Sequence, residues 1–339
     1  MNSTRSVTLE DVARAAHVST ATVSRALSLP HKVSPATLVR VQAAVDRLGY
    51  VAHGAARALA SRRTLTIGAV IPTLDNAIFA NTTHALQKTF DEAGYTLLLA
   101  CHEFDTATEL RVARALVERG VDGLVLVGAT HDPALFELLA ARRLPYVLTW
   151  ASGTHGVHPC IGFDNRAAGL QVAAHLLALG HKSIAVVSGI TAQNERAQER
   201  LAGVRDALAA RGLAPVAVIE KPYTHAGGRE GLREVVAVSP RPTAVICGND
   251  VLAIGAIAEA AALGIAVPRE LSITGFDDME IASLFAPGVT TVHLPTAELG
   301  QEAARQLLAR LAGEDVPLGT ELPVELVVRG STAAPAQAG

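Results

Sequence analysis

The sequence predicts an α/β fold: a two-lobed core of parallel βα sheets with an N-terminal all-α helix-turn-helix head. Three observations predict it. From Thr64 onward, short apolar runs alternate with helix-length segments, the pattern of βαβ units whose parallel sheets are covered on both faces. Residues 1–50 instead read as three short capped helices. At 339 residues, 50% hydrophobic and 18% charged, the chain is too long for one ordinary domain and too apolar for a disordered one.

In the head, Thr8 caps a helix from Leu9 to Ala16, with Asp11 placed as the acid of a capping box and Val12 and Ala15 facing inward. Val18-Ser19 makes a tight break. Ser19 caps a second helix, Thr20–Leu27, with Val23 and Leu27 on its buried face. Pro30–Val33 is a loop. Ser34-Pro35 opens a third helix that carries Leu38, Val41, Val45 and Leu48 in one stripe and stops at Gly49. Residues 51–63 form an Ala-rich linker with one large apolar side chain, Leu59, too short to be a stable helix alone.

The core alternates. Strands are expected at Leu65–Ile71, Tyr95–Ala100, Gly123–Val127, Tyr146–Thr149, Ser183–Val187, Ala217–Glu220, Ala244–Cys247 and Ser272–Thr274, with a late one at Leu322–Val328. Helices are expected at Ile78–Ala93, Glu109–Arg119, Ala167–Leu179, Glu195–Arg211, Val251–Leu263 and Glu298–Leu311. A weak internal echo supports two lobes: Thr66–Ile71 (TIGAVI) resembles Ser183–Ser188 (SIAVVS), and each opens a βα run.

The charge divides as the fold does. Residues 1–63 hold nine Lys/Arg against three Asp/Glu, a net +6, and the rest nets −9 within an overall −3. A basic head on an acidic body points to a polyanion-binding module. In a helix-turn-helix the second helix lies in the major groove. Thr20, Ala21 and Arg25 would face base edges, the arginine suiting guanine O6 and N7. Ser19, Thr22 and Ser24 would meet phosphates at the helix N-terminus. The competing reading is a three-helix protein-interaction module, which the charge disfavours.

Other classes are weakened by what the sequence lacks. There is no P-loop, G-x-G-x-x-G, H-E-x-x-H or G-x-S-x-G, and Gly227–Gly231 has the wrong spacing for a phosphate cradle. Cys101, Cys160 and Cys247 are sparse and unpaired, and the histidines, His155 and His158 included, form no ligand set by spacing, so no metal or cofactor is expected. The N-terminus has no apolar h-region and the chain no 18-residue apolar stretch; a cytoplasmic protein with no membrane partner is expected.

Val7–Ala13 (VTLEDVA), Val18–Leu27 (VSTATVSRAL), Val33-Ser34 and Leu48-Gly49-Tyr50 together resemble the head of the lactose-repressor (LacI) family of bacterial transcription regulators, a specific match that continues along the whole chain apart from a tail. The resemblance implies a DNA-binding head at 1–50, a hinge helix at 51–63, and a periplasmic-binding-protein-like, effector-binding and dimerising core at 64–331. It places the first lobe at about 64–161 and 292–321, the second at about 162–291 and 322–331, and a tail at 332–339. In this family paired hinge helices enter the minor groove, which gives Leu59 the role of a wedge and Arg57, with Arg62 and Arg63, that of phosphate contacts. A linker leucine packed on the core and solvated arginines are the alternatives.

For the effector, the resemblance points to the ends of the core strands. Phe79 is placed to stack on a ligand or to fill the core. Asp164, in Gly162–Asn165, lies in a pocket segment. Arg200 occupies the family's ligand-binding arginine position, and Arg196, one turn earlier, meets a carboxylate or pairs with Glu195 or Glu199. Asn249 and Asp277 match effector-contacting positions. Tyr223 and Trp150, the only tryptophan, fall where aromatic walls stand, although Trp150 also suits lobe packing. The segments Leu74–Ala80, Gly162–Asn165 and Glu195-Arg196 are similar to those of gluconate-operon repressors and imply a sugar-acid effector. The resulting expectation is a homodimeric repressor, not an enzyme, that binds a pseudo-palindromic double-stranded operator and a sugar or sugar acid. Ser331–Gly339 has no leucine heptads of the family's tetramers. The rivals are a sugar-transport binding protein and a sugar-processing enzyme with a regulatory head.

Overall fold

A computed structural model describes residues 7–51, 63–152 and 156–336. The chain divides into two compact units, Met1–Thr66 and Ile67–Gly339. Arg57, Leu59, Arg62 and most of the expected hinge lie outside the described residues, as does His155.

In the first unit, α1 (Leu9–Ala16), α2 (Thr20–Ser28) and α3 (Pro35–Leu48) enclose a small core. Thr8 and Asp11 form the capping box: Thr8 N donates to Asp11 Oδ2 at 3.0 Å, and Asp11 N to Thr8 Oγ1 at 3.4 Å. Ser19 and Ser34 cap the other two helices through Thr22 N and Thr37 N, and Gly49 ends α3 in the left-handed region at φ 62°. Each such cap stabilises its helix by about 1 kcal/mol. His17, also left-handed at φ 55°, makes the turn between α1 and α2. Val12, Ala13 and Ala16 pack against Val23, Ala26, Val41 and Ala44. Val12, Val23 and Val41 are buried as expected. Ala15 and Leu27 are half-buried at the edge of this core, and the small Ala13, Ala16 and Ala26 occupy the centre, where the helices come close.

The second unit contains β1 (Thr66–Ile71), α4 (Ala77–Glu92), β2 (Thr96–Cys101), α5 (Thr106–Glu118), β3 (Gly123–Val127), α6 (Pro133–Arg142), β4 (Tyr146–Thr149) and β5 (Cys160–Gly162), then α7 (Asn165–Ala178), β6 (Ile184–Gly189), α8 (Glu195–Ala209), β7 (Val218–Lys221), α9 (His225–Val236), β8 (Ala244–Cys247), α10 (Asp250–Ala262), β9 (Ser272–Thr274), α11 (Glu280–Leu284), β10 (Thr291–His293), α12 (Thr296–Ala312), β11 (Gly319–Glu321) and β12 (Glu325–Val327). One sheet runs β11-β5-β4-β3-β1-β2 and another β7-β6-β8-β9, with parallel pairing along both. β10 and β12 pair antiparallel. In each large sheet the first strand, β1 or β6, has its successor on one side and the third strand on the other, so the internal echo maps onto corresponding strands.

Several expectations need correction. The late strand is shorter than Leu322–Val328: Glu325–Val327 forms β12, antiparallel to β10, because Pro323 has no N–H for a ladder, and Gly319–Glu321, before the expected range, is a separate strand, β11, on the first sheet. Pro133–Arg142 and His225–Val236 are two further helices of the alternation, and Gly227–Gly231 lies inside the second, α9. There Gly228 packs so tightly on α10 that a Cβ would collide with Leu252 O. Residues 332 and 333 are not a free tail. Ala333 O accepts from His181 Nε2 at 2.8 Å, and Thr332 Oγ1 lies 3.0 Å from His175 Nε2. Both extend the anchor that begins where Ser331 O accepts from Ile273 N at 2.9 Å on β9.

Candidate nucleic-acid interface and effector cleft

On the head, burying Val23 and Ala26 turns the opposite side of α2 outward: Thr20, Ala21, Ser24 and Arg25 are all exposed. Ser19 Oγ accepts from Thr22 N at 3.1 Å and lies 2.9 Å from Thr22 Oγ1. One of those two hydroxyls therefore keeps an outward O–H. Exposed hydroxyls at a helix N-terminus have the chemistry that suits an anion.

In the second unit, a cavity lies where strands of both sheets end. Its lining follows strand ends in turn: Asn76 and Phe79 after β1, Phe104 after β2, Trp150 after β4, Asn194, Arg196 and Arg200 after β6, Tyr223 after β7, Asn249 after β8 and Asp277 after β9. Carboxyl ends of parallel strands collect ligand sites because loops there are free of packing duty while helix N-termini face them. The structure thus brings together Phe79, Trp150, Arg196, Arg200, Tyr223, Asn249 and Asp277. Asp164 sits apart from this lining, and its Oδ1 caps α7 by accepting from Ala167 N at 2.9 Å.

Arg200 is held on three sides. Its Nε donates to Asn165 Oδ1 and its Nη1 to Gly248 O, both at 2.9 Å, and its Cζ lies 3.9 Å from the centre of the Phe276 ring. Donors remain to meet a carboxylate. Asp277 Oδ1 is 3.9 Å from Nη1, too long for a hydrogen bond. Asp277 is 5% exposed, and burial pushes its carboxyl up to about 8 against the opposing pull of Arg200. At neutral pH Asp277 is mainly uncharged. Asp250 beside it, bonded by Thr291 Oγ1 and Met279 N, is pushed up to about 7, again chiefly by burial.

Arg196 pairs with Glu195, Nη1 to Oε1 at 3.1 Å, while also lining the cavity. Glu195 Oε1 accepts from Ala129 N at 2.9 Å, which ties α8 of the second sheet to the loop after β3 of the first. Burial acts to raise the Glu195 carboxyl, but Arg196 and the Ala129 N–H outweigh it and the group ends below its ordinary value. Gly128 permits this approach: at φ 96° it is left-handed, and a Cβ there would strike the Arg196 guanidinium. Because that ion pair is internally balanced, the excess positive charge of the cavity belongs to Arg200.

Phe79 and Trp150 face each other with centroids 5.0 Å apart. Trp150 Nε1 is buried with no hydrogen-bond partner among the described residues. An unsatisfied buried donor in a cavity wall is a costly arrangement that a ligand acceptor relieves. Phe104, Asn194 and the anchoring Asn165 were missed as site residues. The signal for Phe104 was its place just beyond a strand's carboxyl end, and for Asn165 its place next to the expected Asp164.

A family profile described as "Bacterial regulatory proteins, lacI family" matches residues 8–53, and one described as "Periplasmic binding protein-like domain" matches residues 173–332. The chain is 32% identical over 309 residues to "HTH-type transcriptional regulator GntR" of Escherichia coli, covering 91% of this chain and 93% of that protein. It is 31% identical over 330 residues to "Catabolite control protein A" of Priestia megaterium, covering 96% and 99%. Among solved structures, the lac repressor dimer bound to operator and the anti-inducer ONPF matches with a TM-score of 0.87 and 29% identity over 97% of this chain and 100% of that one.

Proposed function

Because the chain belongs to the lacI family of bacterial regulatory proteins, whose members are ligand-responsive DNA-binding repressors, we propose that it is a cytoplasmic homodimer whose operator affinity is switched by a sugar acid bound between the two lobes of its core. One observation carries the choice of ligand: Arg200, with Asn249 and an uncharged Asp277 beside it, forms a net-positive polar cluster among the rings of Phe79, Trp150 and Tyr223. A carboxylate answers the arginine, vicinal hydroxyls answer Asn249 and Asp277, and the aromatic walls exclude water. The relative named GntR supports the same class.

The cavity volume is about 30 Å³, room for water rather than a sugar. Entry therefore requires the lobes to part at the Glu195–Ala129 contact. A ligand that favours one lobe arrangement biases the equilibrium and, through the dimer, the hinge segments. In this reading Arg25, Thr20 and Ala21 meet bases, Ser19, Thr22, Ser24 and Arg57 meet phosphates, and Leu59 wedges into the minor groove of a pseudo-palindromic site. Exposed apolar side chains on α11, Ile281 (45% exposed) and Leu284 (75%), suit burial against a second copy.

A thermal-shift screen of sugars and sugar acids tests the ligand class, since a ligand that binds only the folded state raises its stability. Gluconate or a related acid should raise the melting temperature and change retardation of operator DNA. If no sugar acid does either, the proposal fails.

A further inference from the structure

Beside the inner cavity opens a second chamber of about 360 Å³, within the ~300–1,000 Å³ range of small-ligand sites. Glu103 and Phe104 wall it from the first lobe; Ile190, Gln193, Pro222 and Tyr223 wall it from the second. Phe104, Asn194 and Tyr223 border both spaces, so the two are adjacent. The rings of Phe104 and Tyr223 lie 6.4 Å apart at 45°, forming a bent aromatic wall.

The backbone that presents Phe104 is unusual. Glu103 and Phe104 are consecutive non-glycine residues in the left-handed region, at φ 50° and 60°. Glu103 N donates to Pro72 O at 2.8 Å and Asp105 N to His102 O at 2.9 Å, which holds the turn. Such conformations persist where the surroundings over-determine them, and they gather at ligand clamps. Here the result is one aromatic ring set at the junction of the two spaces.

The chemistry of the two spaces differs. The inner one carries the net positive charge of Arg200. The outer one has aromatic and aliphatic walls, the neutral amides of Gln193 and Asn194, and the exposed carboxylate of Glu103 at its rim. The C–H face of a pyranose packs on an aromatic ring, and its hydroxyls suit amides and a carboxylate acceptor. A second anionic group would be repelled by Glu103.

Building on the sugar-acid reading above, we infer that the preferred ligand is an aldobionic acid, with its carboxylate-bearing end in the inner cavity and an uncharged sugar ring in the outer chamber against Phe104 and Tyr223.

The test is calorimetric titration of the full-length protein with gluconate, then with lactobionate, cellobionate and maltobionate. At least one aldobionate should bind about tenfold or more tightly than gluconate, a difference that loss of the outer contacts removes. Ala192→Trp, at an exposed position of the chamber, should collapse that ratio toward one, and Phe104→Ala should lower it. If gluconate binds and no aldobionate binds more tightly, or if Ala192→Trp leaves the ratio unchanged, the outer chamber is not a subsite and the sugar-acid reading stands without it. If neither gluconate nor any aldobionate binds, both inferences are overturned.

Discussion

Arg200 Nε donates to Asn165 Oδ1 at 2.9 Å, and Asn165 Nδ2 in turn donates to Trp150 O at 3.2 Å. One buried amide therefore fixes the cavity's cation from the second lobe relative to its aromatic wall from the first. Asn165→Ala should leave Arg200 without that acceptor. Losing a hydrogen bond to a charged group costs about 1.5–3 kcal/mol, so the effector Kd should rise roughly 10- to 100-fold. Operator retardation without effector should stay near wild type. Calorimetry and gel retardation on the same preparation check both, and unchanged effector affinity would remove Asn165 from the site.

Arg25 is the long exposed donor on α2. Arg25→Ala should cost about 1–3 kcal/mol of discrimination at one base pair of each half-site. Binding to an operator selected from genomic fragments should fall toward the level of unrelated DNA, while effector binding persists. Retained sequence preference in competition retardation would place base reading elsewhere.

Asp277 gives the protein a pH signature. Its folded value, about 8, lies above the ordinary carboxylate range near 4. The folded state therefore holds the proton more tightly, and this contribution to stability is present below pH ~4 and lost as pH rises through about 8. Asp277→Asn should flatten the fall in melting temperature between pH 5 and 8, leaving the share due to Asp250. Sugar-acid affinity in the wild type should drop above pH ~8, by up to about tenfold per unit, as a second negative charge appears beside the bound carboxylate. A wild-type affinity that stays level to pH 9 would contradict this assignment.

The unit boundary at Thr66 and the charge split of +6 and −9 predict a separable core. A fragment from Thr64 onward should fold cooperatively and bind effector. It should show no retardation of DNA at low salt, where non-specific binding is strongest. DNA binding by that fragment would show that the acidic unit has an interface of its own.

Much of this was legible in the sequence for physical reasons. Thr8, Ser19 and Ser34 are caps, and caps act locally, so the head helices could be bounded from neighbouring residues alone. Gly123–Val127 and Tyr146–Thr149 were identifiable because strands buried on both faces read as continuous apolar runs. Short elements were not: β5 and β11 have three residues each and owe their form to their sheet neighbours, β5 to β4 and β11, and β11 to β5. α9 was hidden because Gly227, Gly228 and Gly231 are poor helix formers, whereas close packing requires them there: a Cβ would strike Pro222 O at Gly227, Leu252 O of α10 at Gly228 and the Val187 side chain at Gly231. Seven of eight expected effector residues line the cavity; Asp164 follows β5 and caps α7 much as Asn249 follows β8 and caps α10, and nothing in the local sequence separates the one that lines the cavity from the one that does not. Phe104 depends on two left-handed residues that no local pattern announces.

The most direct test of the account is a linkage measurement. Operator affinity is measured with and without saturating sugar acid, in wild type and in Arg200→Ala. Effector should shift the wild-type operator Kd by about tenfold or more, corresponding to a coupling of ~1–3 kcal/mol. Arg200→Ala should keep the effector-free operator Kd and show no shift. An equal shift in both proteins, or effector binding with no change in operator affinity, would contradict it.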